Sequence, residues 1–199
     1  MRHRTVMNVE HLPRYDFDHV SPMWWGTWAF IFIEATAFAA VIAAYLFLAY
    51  HAPEWPLSAP PPDLLWGSAS TALFIVSAVP YAMLDKAAHA EDLHKTRFWL
   101  IAVVFVGGAV LVTRAFEFTV LNTRYDENAY GSIVWIVLGL HTLHLVVDFV
   151  ETAVLAALMF SRHGHTKRFT DVSDGCLYWY FIIAAWVFLY VLLYWFPRL

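Results

Sequence analysis

The stretch Ser132–Phe160, SIVWIVLGLHTLHLVVDFVETAVLAALMF, constrains the fold more than any other. A helix of about 20 apolar residues crosses the hydrocarbon core of a bilayer, and this run is long enough. Yet His141, His144, Asp148 and Glu151 sit inside it, at spacings of three, four and three. On an α-helix those spacings put all four on one face, while Leu, Val, Ile and Ala cover the other. A charge at the bilayer centre costs about 2.5 kcal/mol or more, so such residues persist only where they face protein, a cavity or each other. Further helices of the same chain must cover this stripe.

Composition agrees. Of 199 residues, 61% are hydrophobic and only 14% charged, against about 25% charged in a soluble domain. The expected fold class is all-α: a polytopic membrane bundle of five transmembrane helices, at 23–50, 64–84, 97–121, 132–160 and 176–196, preceded by a polar arm over 1–22. That arm lacks the apolar core of a signal peptide. The segments 51–63, 85–96, 122–131 and 161–175 are read as loops. Pro80 is expected to kink the end of the second helix, where Ser68, Ser70, Thr71, Ala72 and Ser77 favour close packing. A net charge of −4 argues against a nucleic-acid partner. The single cysteine, Cys176, leaves no internal disulfide and no paired-cysteine metal site.

Lysine and arginine set the expected orientation. Arg2, Arg4 and Arg14 in the arm, Lys86, Lys95 and Arg97 after the second helix, and Arg162, Lys167 and Arg168 after the fourth share one side. The other side carries Arg114, Arg124 and Arg198. The positive-inside rule then places the N-terminus in the cytoplasm and the C-terminus outside. Trp24, Trp25 and Trp28 suit an interfacial aromatic belt, and Trp179, Tyr180 and Trp186 in the aromatic last helix are read with them as lipid or subunit packing.

Depth can then be compared. Glu34 on the first helix and Asp148 on the fourth each fall within about 3–4 Å of the midplane at 1.5 Å per residue, with His144 at a similar level. Glu34 is therefore expected to face the stripe of His141, His144, Asp148 and Glu151. The residues leave three readings open: a buried polar knot that fixes helix register, a proton relay, or a metal or haem site. The last lacks ligands, because no second helix offers an intramembrane histidine. Arg114 and Glu117, one turn apart, read as a local ion pair snorkelling to the outer interface.

Five motifs, taken together and in order, resemble subunit III of the haem-copper cytochrome c oxidases. They are Gly26-Thr27-Trp28-Ala29-Phe30-Ile31-Phe32-Ile33-Glu34 followed by Phe38, Ser70-Thr71-Ala72-Leu73-Phe74-Ile75-Val76-Ser77, Arg114-Ala115-Phe116-Glu117-Phe118, Gly139-Leu140-His141-Thr142-Leu143-His144, and Tyr178-Trp179-Tyr180-Phe181 with Trp186. They span nearly the whole chain, and five helices match the family's short bacterial form. The resemblance implies an accessory, non-catalytic subunit of a proton-pumping terminal oxidase in a bacterial inner membrane. Such a chain carries no haem, copper or other metal. It packs on catalytic subunit I beside the other subunits, binds phospholipid, and supports proton uptake and turnover stability. By the same resemblance Glu34 is the family's intramembrane glutamate, His141 and His144 its histidine pair, and Glu117 its outer acid. The chain departs from the pattern at Tyr180, where the family has histidine, at Ile183, where it has aspartate, and at Asp148, where it has a small residue. An accessory subunit of a nitric oxide reductase or quinol oxidase is the alternative, and a self-contained membrane metal or haem enzyme a third.

Overall fold

Side-chain caps start three of the helices. Asp63 accepts from the Leu65 amide at 3.2 Å, Asp92 from the Lys95 amide at 3.1 Å, and Asn128 from the Gly131 amide at 2.8 Å. Each satisfies an amide that the helix itself leaves orphaned. The computed structural model describes residues 22–57, 60–161 and 167–199. Its elements are α1 (Pro22–His51), α2 (Leu64–His89), α3 (Leu93–Thr119), α4 (Ala129–Phe160) and α5 (Lys167–Tyr190). A π-helical turn, Val191–Trp195, and a 3-10 turn, Phe196–Arg198, complete the last helix. Among the described residues, five helices are long and apolar enough to cross a membrane. Nearly all of the N-terminal arm and part of the loop after α4, with Arg162, lie outside the described residues.

Three boundaries differ from the sequence reading. The 85–96 segment is a helical hairpin, because α2 runs past Pro80 to His89 and α3 starts at Leu93. The turn between them closes through Glu91, at φ 49°, with the Glu91 and Asp92 amides donating hydrogen bonds to the Ala88 and Ala87 carbonyls. A glycine is the usual residue at such a left-handed helix end, and its absence hides the turn. α5 begins at Lys167, not near Cys176. Its polar opening turns bury Phe169, Val172 and Cys176, a spacing of three and four that marks one helical face. α4 starts at Ala129, where Asn128 caps it while donating to the Leu57 carbonyl at 3.2 Å.

Helices α2, α3, α4 and α5 pack in a ring, each against the next and α5 back against α2, while α1 lies in the groove between α4 and α5. The α2–α5 contact is a ladder of hydroxyls and aromatics. The Trp179 indole donates to Ser77 Oγ at 2.9 Å and the Trp186 indole to Thr71 Oγ1 at 2.9 Å, while Ser68 and Tyr190 share a hydroxyl contact of 2.7 Å. Ser77 and Thr71 are free to accept because their own hydrogens go to the Phe74 and Gly67 carbonyls. Trp179 and Trp186 are 1% and 0% exposed. They hold α5 to α2 inside the bundle instead of meeting lipid or another subunit, because each indole N–H needs a partner that hydrocarbon lacks. Trp25 is 64% exposed, Trp24 and Trp28 half-buried beside it, and Tyr180 half-buried.

Glycine marks a close approach at one of two positions in α4. A Cβ at Gly131 would run into the Arg124 carbonyl oxygen, whereas one at Gly139 would meet nothing within 4 Å. Gly131→Ala is expected to lower stability by about 1–3 kcal/mol. Gly139→Ala is expected to leave it unchanged or raise it by up to about 1 kcal/mol. Thermal unfolding of the two purified variants beside the native chain checks the contrast.

Candidate functional site: two buried polar clusters on α4

The stripe on α4 does not face one partner. His141, His144 and Asp148 are 0%, 6% and 2% exposed, but Glu151 is exposed. At 100° per residue Glu151 lies within about 20° of His144 round the helix, yet two turns further along it lines a cavity instead of the seam.

His141 belongs to a cluster that the sequence reading placed at the surface. Arg114 and Glu117 are 1% and 0% exposed, with a 2.7 Å salt bridge between Nη1 and Oε2. They do not snorkel. Every helix of the ring contributes a partner. Ser70 of α2 donates to Glu117 Oε2 at 3.1 Å, and Tyr194 of the π turn donates to Oε1 at 2.5 Å. Arg114 Nη2 donates to His141 Nδ1 of α4 at 3.2 Å. The guanidinium also stacks over Trp186, 3.7 Å from the ring centroid, a favourable site for a desolvated cation. A Cβ at Gly67 would overlap the Tyr194 ring, so this glycine opens the path by which Tyr194 reaches Glu117. The π turn buries Leu192, Leu193 and Tyr194 in succession. A run of aromatic residues gives no sign of that register shift, so the sequence reading did not single out Tyr194.

The second cluster joins α1 to α4. His144 Nε2 meets Glu34 Oε2, and His144 Nδ1 donates to the Leu140 carbonyl at 2.6 Å. The two side chains are 7% and 18% exposed. Phe38 packs on the His144 ring at 4.9 Å and on the His141 ring at 6.1 Å, separating the two clusters. One turn on, Asp148 lies beside Tyr81 of α2, and its Oδ2 has no partner among the described residues. Beyond it, Glu151, Arg168, Asp171 and Asp174 line a cleft of about 490 Å³ whose other wall is apolar, with Gly26 and Phe30 of α1. Asp174, also missing from the sequence reading, is 8% exposed with an unpartnered Oδ2.

Among the described residues, no three His, Cys, Asp or Glu side chains converge in a way that could hold a metal. The clusters can store charge, hold a proton and fix helix positions.

Truncating Glu117 to alanine strands a buried guanidinium and is expected to cost about 3–5 kcal/mol, whereas replacing both members by Arg114→Met and Glu117→Leu is expected to cost much less. Glu34→Ala leaves His144 short of a partner and is expected to cost about 1–3 kcal/mol, with Glu34→Gln milder. Thermal unfolding midpoints of the four variants check both statements. A double variant as unstable as Glu117→Ala alone would show that the buried pair is not self-compensating.

The chain matches known proteins along almost its whole length. The profile of the family described as cytochrome c oxidase subunit III matches residues 17–198. A cytochrome c oxidase subunit 3 from Thermostichus vulcanus is 25% identical over 172 residues, covering 85% of each chain. The cytochrome bo(3) ubiquinol oxidase subunit 3 of Pseudomonas aeruginosa is 24% identical over 191 residues, covering 92% of this chain and 91% of that one. A cytochrome c oxidase subunit 3 from Neurospora crassa is 26% identical over 95 residues, covering 48% of this chain and 34% of that one. Five helices long and apolar enough to cross a membrane, a half-buried acid on the first and the histidine pair on the fourth thus come with a family match that runs nearly end to end: the chain belongs to the cytochrome c oxidase subunit III family.

Proposed function

We propose that this chain is the accessory, non-catalytic subunit III of a proton-pumping haem-copper terminal oxidase. It packs on the catalytic subunit I in a bacterial inner membrane, with its N-terminus in the cytoplasm. The family match over residues 17–198 carries the reading. The internal chemistry supports it: His141 and His144 both spend their ring nitrogens on protein partners, so neither offers a free ligand to haem or copper. Redox centres then belong to the partner subunits. The amphipathic cleft between α1, α4 and α5, with acids and Arg168 at one end and an apolar wall, is where phospholipid would sit. The intramembrane set of Glu34, His144 and Asp148 is the part of the chain suited to support proton uptake by the core.

Gentle solubilisation and capture of a tagged chain tests this. The expected product is a complex with a haem-copper core. The same chain expressed alone is expected to show no haem band and no stoichiometric metal. Capture without such a core, or a haem band from the lone chain, would overturn the reading. Because one relative carries the name of a ubiquinol oxidase subunit, the captured complex should be assayed with both ubiquinol and reduced cytochrome c. Turnover with ubiquinol alone would assign the chain to a quinol oxidase.

A further inference from the structure

The two histidines of α4 are held in opposite ways. A carbonyl oxygen only accepts a hydrogen bond and a guanidinium only donates. His141 lies between one of each, with Nε2 3.2 Å from the Ile182 carbonyl and Nδ1 3.2 Å from Arg114 Nη2. Its hydrogen therefore sits on Nε2 and its lone pair faces Arg114. The ring has no site for a second proton. His144 spends Nδ1–H on the Leu140 carbonyl and turns Nε2 to the Glu34 carboxyl. Two lone pairs do not face each other, so one proton lies between these groups, on the acid or on the ring.

From that pair, acids follow one helical turn at a time. Asp148, with its unpartnered oxygen, comes next, then Glu151 at the cleft. Residues three or four apart on a helix are neighbours. The surrounding titratable groups come from every packed element. Glu34 is on α1. Tyr178 of α5 lies within electrostatic reach of Glu34, Asp148 and Glu151, and Tyr81 of α2 stands beside Asp148. Cys176 of α5 lies near Asp85 and Asp148, and Asp174 near Asp171 and Asp85. Arg168 stands at the cleft. On the far side of His141 are Arg114 and Glu117 of α3 and Tyr194.

We propose that Glu151, Asp148, His144 and Glu34 form a one-ended proton-exchange string, open at the cleft and closed by His141, which Arg114 locks in one neutral tautomer. A proton taken from water at the cleft passes from carboxyl to carboxyl, each group releasing one as it accepts one. It is held between His144 and Glu34 and returns the same way. Arg114 supplies both the donor that occupies His141 Nδ1 and a fixed positive charge in the path. The lock lets a line of polar groups exist within a membrane-spanning chain without conducting across it. This inference concerns the chain alone and is independent of the oxidase reading.

The test uses the full-length chain in liposomes that contain a pH-sensitive dye, with a potassium diffusion potential set by valinomycin. The native chain is expected to add no proton flux over protein-free vesicles. Arg114→Met frees His141 Nδ1 and is expected to raise the flux several-fold, and adding Glu34→Gln is expected to return it to the native level. A native chain that conducts, an Arg114→Met chain that is no leakier than native, or a leak indifferent to Glu34→Gln would overturn the proposal. If Arg114→Met fails to fold, ring-nitrogen magnetic resonance on the native chain decides, with His141→Gln and His144→Gln to assign the signals. Between about pH 5 and 8, His141 is expected to stay neutral with its hydrogen on Nε2, while Nε2 of His144 exchanges. Protonation of His141 in that range would overturn the proposal.

Discussion

A guanidinium buried in a membrane-spanning bundle dictates much of the arrangement around it. Removed from water, Arg114 needs a counter-charge, acceptors and a polarisable face, and one neighbouring helix cannot supply all three. Glu117 gives the charge from the same helix at 2.7 Å, His141 the acceptor from α4, and Trp186 the ring from α5. Glu117 in turn needs Ser70 from α2 and Tyr194 from the π turn. The ring of α2, α3, α4 and α5 is thus closed by one polar knot as well as by apolar packing. Lipid offers no hydrophobic drive to bring helices together, so such directional contacts carry specificity that packing alone does not.

The α2–α5 ladder follows the same logic. Thr71 and Ser77 of α2 each give their hydrogen to a carbonyl of their own helix, leaving a lone pair for an indole of α5. The small residues of α2 therefore act as acceptors at fixed heights, beyond allowing close approach. Phe74, wholly buried, fills the space between the Trp179, Trp186 and His141 rings, each within 6 Å of its own. Polar and aromatic contacts alternate along this seam, and register is fixed at several heights at once.

The spans were legible in the sequence because hydrocarbon demands long apolar runs, and the α4 stripe because its polar residues follow the helical period. Helix ends were less so. Charged residues that project beyond the apolar run read as loop, although Glu91 turns the chain with no glycine to announce it. The spacing of Phe169, Val172 and Cys176 did carry the missing start of α5. Depth alone brought Glu34 and His144 to one level, and the structure joins them. What one dimension does not convey is which way a charge near a helix end points. Arg114 reads as a snorkelling side chain until Tyr194, Ser70 and His141, from three other elements, are placed around it. The unlike roles of His141 and His144 are equally invisible, since a tautomer is set by partners from elsewhere in the chain.

Helix α1 shows what one polar residue contributes to a membrane seam. Its buried residues are Ile31, Phe38 and Tyr45, seven apart, with Glu34 and Val41 half-buried at the intermediate places. That is a heptad seam with a polar residue at one inward position, an arrangement that fixes register at some cost in stability. Much of the rest of α1 is apolar and exposed, including Phe32, Ile33 and Phe47, so its register rests on few polar contacts, this one and the Trp55 indole donating to the Tyr45 hydroxyl at 2.9 Å. A shift of α1 by one turn in either direction would carry the Glu34 carboxyl away from His144, to the level now filled by Phe38 against Phe181 or toward Asp148. The first strands two hydrogen-bonding groups in an apolar setting, and the second sets acid against acid. Either outcome costs more than any apolar contact the slide would gain, since an unmade buried polar contact costs about 1–3 kcal/mol. Register knot and proposed proton-holding pair are therefore the same two side chains, and the geometry that fixes α1 in place is also the geometry on which the proposed exchange string ends.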